Sequence, residues 1–275
     1  MIRRAQPWLG TLVEISAEGA RGADGSMAAV SAAFAEIARL HGRMSFHDAA
    51  SDIGRINRAA PGDVLAVDPA TWRVLALALD ISNRSDGAFD IACAPWLVEW
   101  QVLPPQDGAA PSARRAADVF ALEDGQRVRK LAPGWIDVGG IAKGYAVDAA
   151  VDVLRAAGVD GGCVNAGGDL RAFGAMRVPV AVRAPHAPGQ AARRLELHEA
   201  ALATSASYFS KRSHAGRTVS ALVDARDGTP LAGGASATVR AARCAHADAL
   251  TKVVLATGDC AHPLLAAFGA TAFLI

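Results

Sequence analysis

Apolar positions recur along this chain with two different periods, and the switches between them predict its elements. Pro7–Glu18 carries Leu9, Leu12, Val13 and Ile15 and reads as a first strand, with a polar turn over Gly19–Gly25 behind it. Val30, Ala33, Phe34, Ile37, Ala38 and Leu40 then keep a helical period, with Ser26 as the cap. Met44–Arg58 is mixed in polarity and predicts a loop with a short helix around Ser51–Asn57, and Asp63–Val67 predicts a short strand. Asp68 followed by Pro69 is a helix start; Trp72, Leu75, Ala76 and Leu79 form the expected buried stripe of a helix that stops near Ser85. Ala94–Trp100 is apolar, Gln101–Pro111 reads as a surface loop, Ser112–Phe120 as a short helix, and Gln126–Leu131 with Trp135–Asp137 as a hairpin.

The stretch Ile136–Asp148, IDVGGIAKGYAVD, reads as a strand end, a turn that Gly139 and Gly140 permit, and a helix running to Ala157 and closed by Gly158. A second glycine turn with an acid beside it, Asn165–Asp169, follows the strand end at Cys163. Strands are predicted at Leu170–Phe173, Val178–Arg183, Arg194–Leu197, Thr218–Asp224, Ser236–Ala241 and Ala270–Ile275, with a tight turn over Ala225–Pro230. Asp248 reads as the start of a helix over Ala249–Ala256 ended by Gly258, and His262–Phe268 as a short helix. No repeat and no linker long enough to part domains interrupts this order. The pattern predicts one α+β domain over residues 1–275, of mixed and mainly antiparallel sheets packed with helices.

Composition narrows the classes of function. The 275 residues are 52% hydrophobic and 20% charged, which fits a folded globular chain rather than a disordered one. A net charge of +1 gives no reason to expect nucleic acid or an anionic membrane as partner. No apolar run reaches the roughly 20 residues that span a bilayer. Nor does the start of the chain read as a leader, so the expected compartment is the cytoplasm, or the periplasm where a leader has been removed. Cys93, Cys163, Cys244 and Cys260 form no CxxC pair and read as buried free thiols rather than a zinc or redox site.

Three constellations carry candidate chemistry. Asp137, Gly139, Gly140 and Lys143 surround one turn at a helix start, where free N–H groups and an ammonium attract an anion. The same residues also serve a plain turn in which Asp137 caps the helix. The spacing matches neither GxxxxGK[ST] nor GxGxxG. Asp248 with Thr251 offers oxygens to a hard cation, while Asp248 with Lys252, four residues on, makes an ordinary helical ion pair. The third set is the SDGAFD loop, Ser85–Asp90, with His47 and Asn57. Ser205 sits among small residues as a cap or a pocket wall, His246 reads as packing, and no Ser–His–Asp set is evident.

Taken in order, these pieces resemble the FAD:protein FMN transferase family, the ApbE type. The likeness runs through LGT at Leu9–Thr11, MSFHDAASDIGRIN at Met44–Asn57 and DGAFD at Asp86–Asp90. It continues through DVGGIAKGYAVD at Asp137–Asp148, NAGGDL at Asn165–Leu170, ATSASYF at Ala203–Phe209, VDARDGTP at Val223–Pro230 and HADALTK at His246–Lys252. The resemblance implies an ApbE-like fold that binds FAD and Mg²⁺. It also implies transfer of FMN to a threonine or serine hydroxyl of an acceptor protein, with release of AMP. Carried over, it puts Leu9, His47, Ala88, Phe89, Asp90, Asp137 and Lys143 on the FAD. The Gly140 carbonyl and Asp248 fall on the metal; Thr251 beside Asp248 is the further candidate ligand, and Asp248, Lys252 and Ser205 are the candidates for the reacting centre.

Two departures from the family pattern bear on that expectation. Where the family has a threonine four residues after the metal-binding aspartate, this chain has Lys252, with Thr251 one position earlier. Either Thr251 serves as ligand from a shifted place, or the Lys252 ammonium occupies the place of the cation. An ammonium 4 Å from a metal is repelled by about 4 kcal/mol per unit of charge at an effective dielectric near 20. The alternative function is accordingly an FAD-binding protein, or an FAD pyrophosphatase, with weak or no protein flavinylation. The second departure is Ala221–Ala225, which replaces a family His-Ile-Ile-Asp-Pro.

Overall fold

The computed structural model describes residues 1–19, 22–106, 110–208 and 210–275. Parts of the expected turn at 19–25 and loop at 101–111, and Phe209 of the ATSASYF run, therefore lie outside the described residues. The predicted first strand is a hairpin, β1 (Ile2–Trp8) and β2 (Thr11–Glu18), in register from Ile2 opposite Ala17 to Trp8 opposite Thr11. Its two-residue turn puts Leu9 at φ 56° and Gly10 at φ 71°, the left-handed geometry that suits a tight hairpin. A leucine rather than Asn or Gly at the first position hides that turn from sequence. Helix α1 (Gly22–Met44) begins ahead of Ser26, which is an interior residue and not its cap; its hydroxyl donates to Gly19 O at 2.9 Å.

Helix α2 (Asp52–Arg58) is capped by Ser51, whose Oγ accepts from Gly54 N at 2.9 Å. After β3 (Val64–Ala66), α3 (Pro69–Arg84) opens under the cap of Asp68 as predicted. Its buried stripe is Val74, Leu75, Ala78 and Ile81 rather than Trp72 and Leu79, which are only half-buried; the Trp72 indole instead donates to Glu123 O. A 3₁₀ turn at Ile91–Cys93 leads into α4 (Ala94–Glu99). The helix expected over Ser112–Phe120 is the single turn α5 (Ala116–Val119), because Phe120 already begins β4 (Phe120–Glu123). Strand β5 (Arg127–Lys130) pairs with β4 on one side and β3 on the other, so Trp135–Asp137 has no place beside it and is not a strand. Asn57 fixes that segment instead. Its Oδ1 accepts from Ile136 N at 2.8 Å and its Nδ2 donates to Ile136 O at 3.0 Å, as a neighbouring backbone would.

Helix α6 (Ala142–Ala156) follows, then β6 (Gly161–Ala166), β7 (Asp169–Gly174), β8 (Val178–Ala184), β9 (Ala187–Leu197) and β10 (Ala200–Ala206). The strand expected over Thr218–Asp224 is broken into β12 (Arg217–Val219) and β13 (Val223–Asp224), since Ser220 folds its hydroxyl back between them onto the Leu222 and Leu231 carbonyls. The short hairpins are β11 (Arg212–His214) with β12, and β13 with β14 (Thr229–Pro230). The chain closes with β15 (Ser236–Ala241), α7 (Cys244–Thr257), α8 (Pro263–Ala267) and β16 (Thr271–Leu274).

The principal sheet has the order β1-β2-β6-β7-β10-β15-β16, every pair antiparallel. Alternation assigns its faces. Val13, Ile15, Val164 and Phe173 pack with Val30, Phe34, Val147, Val151 and Leu154 of α1 and α6. Cys163, Leu170, Ala172 and Leu202 face the other way, onto Val182 and Leu197 of the β8–β9 hairpin. A second core joins α2, α3 and the 3₁₀ turn to α7, whose residues are buried nearly all round, as befits a helix in the interior.

Candidate active site

Asp248 was expected at a helix start; α7 in fact begins at Cys244, and Asp248 lies one turn in with no exposed surface. Its carboxylate caps a different helix. Oδ2 accepts from Gly144 N at 3.0 Å, in the first turn of α6. Asp148 of α6 returns the favour, accepting from Cys244 N at 3.0 Å and Ala245 N at 2.9 Å in the first turn of α7. The two N-termini approach so closely that a Cβ on Gly144 would meet Cys244 O at 2.3 Å. This contact explains the glycine after Lys143.

Around the junction four charged side chains converge. Lys143 pairs with Asp169 at the start of β7 and lies 3.8 Å from Asp248 Oδ2. Lys252 pairs with Asp248 Oδ1 and donates to its main-chain oxygen at 2.9 Å. Burial alone would lower the Lys143 pKa, but the carboxylates of Asp169 and Asp248 outweigh it and hold the ammonium charged. Burial, and then the charge of Asp248, push Asp169 up; Lys143 and Lys252 oppose them. The contact pair Lys143–Asp169 is ionic, because the ammonium has two carboxylates to answer and each carboxylate has a lysine. Thr251 is fully buried and spends its proton on Asp248 O at 2.6 Å. Ser205 of β10, 2.7 Å from Thr251 Oγ1, therefore donates to it. The result is a relay from Ser205 through Thr251 to Asp248.

Lys143 also lines a cleft of about 280 Å³ together with Leu9, Phe46, His47, Asp137 and Gly139. Four of the residues expected on a flavin, Leu9, His47, Asp137 and Lys143, thus share one cavity although they come from three separate segments. Burial raises the Asp137 pKa, against the Gly139 N–H and the charge of His47. The Phe89 ring stands against Gly140, where a Cβ would meet it at 3.3 Å and the Lys252 stem at 3.5 Å. Ala88 is fully buried. Asp90 is committed to structure, tying its loop to α3 and α5 by accepting from Ser82 Oγ, Ala92 N and Ala116 N. His246 packs on Phe268 at 4.6 Å between ring centres, and burial lowers its pKa. Asp169 was visible in sequence as the acid beside a glycine turn, but nothing there tied it to Lys143. A larger groove of about 530 Å³ lies elsewhere, between α1, α3 and α6; its Arg39 is paired with Glu36 and Asp68, and its Arg243 with Asp152. Cys163 and Cys244 are buried as expected, whereas Cys260 is exposed.

The donor set at Asp248 does not fit Mg²⁺. That ion asks for near-octahedral oxygens at about 2.0–2.1 Å. Here both Asp248 carboxylate oxygens and its carbonyl already accept from Gly144, Lys252 and Thr251, and the Thr251 hydroxyl is turned into the relay. Two ammonium groups flank the spot. Among the described residues no group of three or more His, Cys, Asp or Glu side chains is placed to hold a metal.

An antiparallel seven-stranded sheet with two mutually capping helices and a lysine–aspartate cluster beside an apolar cleft defines a small-molecule site in an α+β fold. The model of the ApbE family matches residues 9–274, and the chain belongs to that family. It is 26% identical, over 80% of its length and 70% of the relative's, to the FAD:protein FMN transferase of Vibrio cholerae. With the FAD:protein FMN transferase of Rhodobacter capsulatus it shares 30% identity over 94% of its own length, and spans about half (52%) of that protein. The flavinyl transferase ApbE of Pseudomonas stutzeri superposes with a TM-score of 0.80 at 26% identity, covering 99% of this chain and 90% of that one.

Proposed function

We propose that this chain transfers FMN from FAD to a threonine or serine hydroxyl of an acceptor protein and releases AMP. The observation that carries the reading is the junction itself: Lys143 belongs both to the cleft lined by Leu9, His47 and Asp137 and to the cluster with Asp169, Asp248 and Lys252. A ligand with an apolar ring at one end and a diphosphate at the other spans those two regions. The family and the names of the relatives support FAD as that ligand.

In the reaction the acceptor oxygen attacks the FMN phosphorus, the bond from that phosphorus to the bridging oxygen breaks, and the bridging oxygen leaves with AMP. The hydroxyl proton is lost to solvent or base. Charge accumulates on the phosphoryl oxygens, so positioned cations do most of the work. Lys143 and Lys252 supply them. Asp248 and Asp169 aim the lysines, and the Ser205–Thr251 relay holds Asp248. Leu9, His47 and Asp137 flank the isoalloxazine, while Phe89 stands against Gly140, with Ala88 and Asp90 buried behind it rather than on the cleft. No step is routed through a divalent metal, because the residues at Asp248 do not fit one.

The test is to incubate the protein with FAD, with and without a threonine-containing acceptor peptide, and to separate FAD, FMN and AMP. AMP with a flavinylated peptide is the expected result. FMN with AMP and no peptide adduct would replace the transferase by an FAD pyrophosphatase, and intact FAD throughout would leave a flavin-binding protein.

A further inference from the structure

We infer that Lys252 is the resident cation of this site, so that the chain holds a nucleotide diphosphate through two lysines without a divalent metal. The inference rests on the flavin-nucleotide reading above and adds which groups contact its diphosphate. The junction holds two ammonium groups, Lys143 and Lys252, and two carboxylates, Asp169 and Asp248, so its formal charge is 2 − 2 = 0. With a neutral residue at 252 it would be 1 − 2 = −1, and a buried carboxylate would be left asking for a cation. The chain answers that demand covalently. The Lys252 ammonium occupies the two Asp248 oxygens that face it, Oδ1 and the main-chain O. An ammonium has three donors, so one remains for a ligand oxygen.

Three further observations support the assignment. Lys252 lies only one-eighth exposed (13%), next to Gly140 and the Phe89 ring, and is therefore aimed by its surroundings rather than free in solvent. The hydroxyl of Thr251 is turned away into the Ser205 relay and is not offered to a metal. Lys143 stands across Asp248 from Lys252, close to both carboxylates. Each ammonium keeps a donor beyond its carboxylate partners, so the pair offers a diphosphate charge-assisted hydrogen bonds from both sides of Asp248 without a metal.

The experiment uses two readouts that do not depend on turnover. Mn²⁺ binding is followed by electron paramagnetic resonance, and FAD binding by flavin fluorescence, each on the full chain. Wild type is expected to bind FAD equally in EDTA and in excess Mg²⁺, and to bind no Mn²⁺. Lys252→Thr is expected to lose about tenfold or more in FAD affinity in EDTA, the size of one charge-assisted hydrogen bond, and to recover it with Mg²⁺ while gaining a Mn²⁺ signal. Lys252→Arg keeps the charge and should stay independent of metal, which guards against a Lys252→Thr chain that does not fold. Wild type that binds Mn²⁺, or needs Mg²⁺ to hold FAD, overturns the inference. Absence of FAD binding by wild type in every condition overturns the flavin reading instead; a Mn²⁺ signal gained by Lys252→Thr alone would still support the lysine as the resident cation.

Discussion

Lys130 is the one lysine among the described residues with almost no exposed surface (1%), and among those residues no carboxylate pairs with it. Its ammonium donates to Ile56 O at 3.2 Å, in the last turn of α2, and to Gly134 O at 2.5 Å. A cation at a helix C-terminus is favourable, yet burial dominates and lowers its pKa from 10.5 to about 8. The folded chain therefore holds fewer protons than the unfolded chain between those two values, and stability contributed by this group rises with pH across that window. Below it the charge must be kept in the interior and the cost is present in full. Lys130→Met should remove the dependence: denaturant unfolding of wild type should gain on the variant as pH climbs from about 8 to 10.5. Parallel profiles would show that the two carbonyls hold the ammonium charged throughout. The sequence contained Lys130 as one lysine among four, and neither its burial nor its acceptors are local properties, so its strain could not be read there.

At the scale of elements, α6 and α7 depend on each other's carboxylates. Asp148 accepts from two N–H groups at the start of α7 and pairs with buried Arg171 at 2.9 Å. Asp148→Ala leaves the α7 terminus uncapped and Arg171 with only the half-exposed Asp152, 3.6 Å away, as its carboxylate. Breaking a buried pair on one side costs about 3–5 kcal/mol, more than the roughly 0.5–2 kcal/mol of a cap alone. Urea unfolding should register the larger loss, with Asp148→Asn losing less because it keeps an acceptor; a loss below that of a cap would mean that Arg171 is satisfied elsewhere. This cross-capping also explains which elements were legible in sequence. Helix α3, with Asp68 and Pro69 at its start, and strand β15, with its bounds at Ser236 and Ala241, carry all their signals within themselves. Asp248 before an apolar run looks the same whether it caps its own helix or another, so the start of α7 was misplaced. Ile136 and Asp137 read as a strand from their local pattern, but the partner they pair with is the Asn57 amide, 79 residues from Ile136, and not another strand. Asp137, Lys143 and His47 were legible as candidates from their local patterns and Leu9 only through the ordered resemblance; their meeting in one cleft is tertiary.

Across the whole molecule, α6 and α7 contribute to both large cores. Val147, Val151 and Cys244 pack under the sheet, while Ala146, Leu250 and Val253 pack with α2 and α3. Neither core can open without disturbing the helices of the other, so heat should unfold the chain in one cooperative transition, in keeping with a single domain. The site draws on the same arrangement. Its residues come from the β1–β2 turn, the chain before α2, the start of α6, β7 and α7, and a ligand touching all of them binds only the folded state. FAD at one hundred times its dissociation constant should stabilise that state by about 2.7 kcal/mol. At about 2–4 °C per kcal/mol for a chain approaching this size, the expected rise in Tm is roughly 5–10 °C. The rise should be the same in EDTA as in Mg²⁺ if Lys252 does the work of the cation, and it should shrink in Lys143→Ala, which loses the side chain common to the cleft and the charged cluster. Two separated transitions with only one moving on addition of FAD would mean that the cores unfold independently and that the site belongs to one of them.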